Sequence, residues 1–164
     1  MVEGQTQSMK LNDIEKSTFG LFVNWLYMQK IENVDGDEMT MLKVLQLWNL
    51  GQWFLIPQLQ NSAMFLLMPR DARKAAMPFY KLAFDVVETT PIQRLIIKVF
   101  VAIAYNKFRS GEKDGASNLM GICVKVGEKM TRDFTRALME QSFLGVQPKS
   151  PGVADLKDYL VLEE

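Results

Sequence analysis

The stretch Phe19-Gly-Leu-Phe-Val-Asn-Trp-Leu-Tyr27 places Phe19, Phe22, Val23, Leu26 and Tyr27 at positions i, i+3, i+4, i+7 and i+8. That spacing puts five large apolar side chains on one side of a 3.6-residue helix, the pattern of a helix laid against a core. It predicts a helix over residues 18–29, capped by Ser17 or Thr18. Asn33 to Asp37 follows with turn chemistry, and Asp37 and Glu38 place negative charge where the dipole of a second helix favours it.

The same period continues outward. A second helix is expected over 39–53, apolar on two sides: Leu42, Leu45 and Trp48 on one, Val44, Leu47 and Phe54 on the other. Such a helix belongs at the centre of its domain. Pro57 suits the first turn of a third helix, with Leu59, Ala63, Leu66 and Leu67 as its main stripe and Pro69 as its end. A fourth is expected over Phe79 to Val87. Thr90-Pro91-Ile92-Gln93 reads as a capped start, threonine as cap, proline at the first helical position and glutamine at the third, for a fifth helix reaching about Phe108. Ser110 to Ser117 reads as a linker. The spacing then predicts one long helix over 118–141, with Val126, Met130, Phe134 and Leu138 recurring every fourth residue, and a short last helix between Ser150 and Leu162. Strand signal is confined to Thr6 to Leu11. The expected class is mainly α, with at most one or two short strands.

Composition bounds the function. The chain has 164 residues, enough for one domain that buries roughly 70% of its unfolded surface without disulfides or metals. Lys plus Arg number 19 and Asp plus Glu 19, so no net field draws in nucleic acid or anionic lipid. There is no histidine, which removes His-based triads and every His-containing metal site. The single cysteine, Cys123, lies in the apolar run Ile122 to Val124 and reads as a small buried hydrophobe. One free thiol fits a reducing, intracellular setting, cytoplasm or nucleus. No dinucleotide, phosphate-loop or nucleophile-elbow motif is present, and Asp35-Gly36-Asp37 does not continue into a calcium loop. The expectation is a protein that is not an enzyme and uses no cofactor, catalytic residue or metal. The apolar run Leu95 to Tyr105 is too short to cross a bilayer. An alternative role for it is membrane-surface binding through residues 95–109, with Lys98, Lys107 and Arg109 at the headgroups.

Several segments in order resemble the BTB/POZ domain, in the version common in fungi. They are Phe19 to Tyr27, Leu45-Gln-Leu-Trp-Asn-Leu50, Phe54-Leu-Ile-Pro-Gln-Leu-Gln-Asn61 and Thr89-Thr-Pro-Ile-Gln-Arg-Leu95, within residues 8–105. The chain departs from the family at Met28-Gln29, where threonine-glycine is usual, and at Gly51-Gln52, where alanine-aspartate is usual. The family's opening strands and helical hairpin would precede Phe19, where only 18 residues stand, and Gln5 to Asp13 matches at most the last strand. The resemblance implies the C-terminal half of a protein-interaction fold, with the N-terminal half missing. It divides the chain into a truncated BTB/POZ-like region with its following helices (1–108), a linker (109–117) and a C-terminal helical extension (118–164) packing on the first region. It implies a non-catalytic adaptor or self-association domain, whose partner is another protein or a second copy. A cullin-type ligase scaffold is a partner known in the family, with no motif here that carries it. The remaining alternative is a degenerate fragment without activity of its own. Apolar faces that the missing half would cover need another cover, from Val99, Ile103, Val126, Met130 and Phe134 or from a partner. Trp53, Met64, Phe65 and Met68 are the candidate interaction surface, since methionine-rich surfaces adapt to varied partners.

Overall fold

The structure is a computed structural model that describes residues 14–32, 39–67, 76–85, 88–144, 148, 151 and 153–161. Among these residues it contains α-helices and one 3₁₀ helix and no strand: α1 (Lys16–Met28), α2 (Met41–Trp53), α3 (Pro57–Leu67), α4 (Met77–Phe84), α5 (Pro91–Arg109), α6 (Lys113–Val126), α7 (Glu128–Leu144) and the 3₁₀ helix Val153–Asp158. The mainly α class follows from the sequence pattern. The strand candidate Thr6 to Leu11 lies outside the described residues.

α2 is the hub. Val44, Leu45 and Trp48 enter the main core with residues of α3 to α7, and Leu47 and Leu50 enter a smaller one with Leu21, Phe22, Trp25 and Leu59. Its two apolar sides serve two cores. Thr40 caps it, accepting a hydrogen bond from the Lys43 backbone N–H. The turn into α3 is so tight that a Cβ on Gly51 would stand 2.8 Å from Gln60 Cγ and 3.2 Å from the Ile56 carbonyl oxygen. Gly51 therefore sits where a side chain would force the hairpin apart.

α5 forms the spine of the C-terminal part. Thr90 and Gln93 make the expected capping box, and Pro91 stands at its first turn. Gln93 does more than cap. Its Nε2 donates to the Ala83 carbonyl at 2.8 Å, and its Oε1 accepts from Lys129 Nζ at 2.7 Å, tying α4, α5 and α7 together inside the protein. An edge-to-face aromatic ladder, Tyr80 to Phe100 to Phe134, runs through the same layer.

Two expectations for the C-terminal part are corrected. The linker reduces to Ser110–Glu112, because α6 already begins at Lys113. The long helix is two helices. Gly127 adopts φ 147°, a backbone conformation that L side chains rarely reach, and its N–H closes α6 on the Cys123 carbonyl. The break lets α6 and α7 both pack on α5, burying Leu119, Cys123, Met130 and Phe134. α6 and α7 thus cover α5, and α6 also packs on α4. The C-terminal end is pinned by Asn61, whose Nδ2 donates to the Val161 carbonyl at 3.0 Å and whose Oδ1 accepts from the Val161 N–H at 2.8 Å.

Candidate interaction surface

α1 is seated on α2 by a different side from the one its most apolar stripe suggests. The buried residues are Thr18, Leu21, Phe22 and Trp25, themselves spaced i, i+3, i+4 and i+7. Of the five residues expected to face the core, Phe22 alone does so; Phe19, Val23, Leu26 and Tyr27 are exposed, Tyr27 at 83%. The reason lies in Thr18. It does not cap α1; its hydroxyl donates to Gln46 Oε1 at 2.8 Å in a buried bond to α2. Rotating the helix to bury Leu26 and Tyr27 would break that bond and leave buried polar groups unpaired. Ser17 does not cap either; Glu15 holds the cap position without a side-chain cap bond.

The exposed side of α1 continues onto the α2–α3 turn. Phe22 stacks on Phe54, ring centroids 5.2 Å apart with an interplanar angle of 10°, and Phe19 lies 5.9 Å from Phe22. Leu55 follows with φ 56° and 85% of its surface exposed. A leucine in left-handed backbone costs about 1 kcal/mol, so the turn holds an apolar side chain outward at some expense to the fold.

The residues expected to form the surface fare differently. Trp53 is 52% exposed and lines a cleft of about 450 Å³ with Ile14, Gln46, Asn49, Gln52, Leu82 and Asp85. Phe65 is half exposed on α3, away from that cleft. Met64 is corrected to a core residue, 1% exposed, because the buried arc of α3 is centred on Gln60 and Ala63 and takes in Met64 while leaving Leu66 half-buried. Met68 lies outside the described residues. Sequence reasoning missed Phe54 and Leu55 as surface; the only signal for them is two adjacent large apolar residues just before a helix-starting proline.

A larger cleft of about 710 Å³ lies between α5, α7 and the 3₁₀ helix. Arg94 and Lys98 line it with Glu140, Asp155 and Asp158, over a floor that includes Ile97 and Val101. Lys98 Nζ stands 5.7 Å from the Tyr159 ring centroid, a cation–π contact that holds the C-terminal segment against α5.

Titratable chemistry inside the protein is muted. Burial pushes the Cys123 thiol up to about 11, away from a reactive thiolate. Burial, with Cys123 beside it, pushes the Tyr80 hydroxyl up to about 12. Among the described residues no group of three or more Cys, Asp and Glu could hold a metal ion, and no helix is long and apolar enough to cross a membrane. Comparison with known proteins finds no matching family model, no matching curated protein and no matching solved structure.

Proposed function

We propose that this chain is a non-catalytic protein-interaction module of the intracellular space, BTB/POZ-like in its α1 to α3 region, that docks through the exposed side of α1 and the α2–α3 turn. The observation that carries the reading is the set of exposed aromatic and aliphatic side chains on α1 and the α2–α3 turn, Phe19, Val23, Leu26, Tyr27, Phe54 and Leu55, 36–85% exposed, with Phe19 and Phe54 both packed on the Phe22 ring. Contiguous apolar surface beyond a few hundred Å² marks interaction sites on folded proteins. The segments that resemble BTB/POZ domains fall on α1, on the α2–α3 hairpin and at the start of α5, so the resemblance and the surface meet on α1 and the turn. α5 supports this reading over membrane-surface binding: Leu95, Ile96, Ile97, Phe100 and Val101, which would face a bilayer, are buried against the core, and Phe108 is the one large apolar side chain of the segment that is mostly exposed.

The test is affinity capture from the source cell with the wild-type chain and with a Leu26→Arg, Tyr27→Ala variant, both side chains being exposed. Proteins held by the wild type and lost by an equally stable variant are the expected outcome. An identical set on both would remove the surface from consideration.

A further inference from the structure

We propose that the cleft bordered by α2, the start of α1 and the end of α4 is a binding site for a neutral polyhydroxylated ligand, a mono- or disaccharide. It is separate from the docking face and uses none of its residues. Gln46, Asn49, Gln52 and Trp53 stand at i, i+3, i+6 and i+7 on α2, so they form one ridge of the helix. α2 is apolar over most of its circumference, and this ridge is where its carboxamides gather. They line the cleft of about 450 Å³, with Ile14 ahead of α1 and Leu82 and Asp85 at the end of α4 as the facing walls. That volume lies within the range of small-ligand sites.

The cleft offers hydrogen bonds that the fold does not use. Among the described residues, the side chains of Asn49, Gln52 and Asp85 make no hydrogen bond or ion pair within the protein. A carboxamide carries two donors and an acceptor, and a carboxylate accepts only. Sugar hydroxyls, each donor and acceptor at once, match a set that supplies both. Gln46 is held by the Thr18 hydroxyl, which donates to its Oε1 at 2.8 Å, so that wall is ordered before a ligand arrives. Trp53 is 52% exposed, which leaves its indole accessible. The face of an indole is electron-rich. It suits the weakly positive C–H groups on the apolar side of a pyranose, while the hydroxyls at the ring's edge reach the amides.

Charge narrows the class. Asp85 is the only charged residue lining the cleft among the described residues. A phosphate or carboxylate would meet like charge there with no cation to offset it, so the ligand is uncharged. The larger cleft has the opposite character: Arg94, Lys98, Glu140, Asp155 and Asp158 line it, and an uncharged polyol would replace their hydration poorly.

Saturation-transfer NMR of the purified full chain with glucose, mannose, galactose, N-acetylglucosamine and maltose tests the proposal. Transfer to at least one of them, with a millimolar Kd, is expected. Trp53→Ala should abolish it, and Trp53→Phe should retain part of it because an aromatic face remains. The double variant Asn49→Ala, Gln52→Ala should weaken binding about tenfold or more at unchanged Tm, since neither side chain is bonded within the fold. The 6-phosphate of a hexose that binds should bind more weakly than the hexose. Absence of transfer to every sugar of the panel up to about 50 mM overturns the proposal. Binding indifferent to Trp53→Ala or to the double variant overturns it too. So does cyclohexanol bound as well as the sugar, the mark of a merely apolar cleft, or choline or adenine bound where no sugar is. None of these outcomes touches the docking face, whose capture experiment varies Leu26 and Tyr27 alone.

Discussion

α1 and α5 are both rich in large apolar residues, and the protein treats them in opposite ways. α5 lies between α4, α6 and α7 and buries nine of its 19 residues. α1 lies on the outside of the α2–α3 hairpin and buries four of 13. Its seat holds the Trp25 indole N–H buried without a hydrogen-bond partner, which costs about 1–3 kcal/mol. The contrast separates apolar surface used for folding from apolar surface left for association. A helix covered on several sides has no free face, whereas a helix seated on one side keeps one.

The sharpest way to break that contrast is to truncate a ring on each helix. Phe100 is fully buried between Tyr80 and Phe134, so Phe100→Ala should lower stability by about 3–5 kcal/mol in urea unfolding. Leu26→Ala on α1 should change it by less than about 0.5 kcal/mol. Comparable losses at both positions would mean that α1 is not one-sided.

The same core should fail in alkali. Cys123 and Tyr80 both have folded-state pKa values raised above their ordinary 9.0 and 10.0. Their stabilising contribution is complete below those ordinary values and disappears as pH rises through about 11 and about 12. Tm measured from pH 8 upward should fall first above pH 9, and Cys123→Ala should flatten that first part of the decline.

Smaller effects probe the elements between the two helices. Gly51→Ala should cost about 1–3 kcal/mol by wedging α2 from Gln60 and Ile56. Because α2 carries the seat of α1, hydrogen exchange should quicken in α1 before α5. Asn61→Ala removes both bonds to Val161 and should cost about 1–2 kcal/mol, with proteolysis trimming the C-terminus first. Leu55→Gly should have the smallest effect and the opposite sign, a gain of up to about 1 kcal/mol from relieving φ 56°, measured as a higher urea midpoint.

Much of this architecture was legible residue by residue. Thr90, Pro91 and Gln93 announced the start of α5 because a capping box is local chemistry, complete within four residues. Leu42, Leu45 and Trp48 on one side and Val44, Leu47 and Phe54 on another marked α2 as central because a helix apolar on more than one side needs cover on each, although Phe54 ends on the surface. Cys123 read as core because its neighbours are apolar. The break at Gly127 was not legible: a glycine within a helical pattern either continues the helix or ends it, and the need of α7 to fold back onto α5 made the choice. Met64 was misread because the stripe on α3 shifts by one helical position when Gln60 packs inward beside Gly51.

The sequence by itself determined that this protein is helical, where most of its helices begin and which of them is central, because periodicity and capping act over one or two turns. On α1 it offered two stripes of equal spacing, Phe19-Phe22-Val23-Leu26 and Thr18-Leu21-Phe22-Trp25. Only the tertiary structure chose between them. Gln46, 28 residues away from Thr18, supplies the buried hydrogen bond that turns the threonine side inward and the phenylalanine side out.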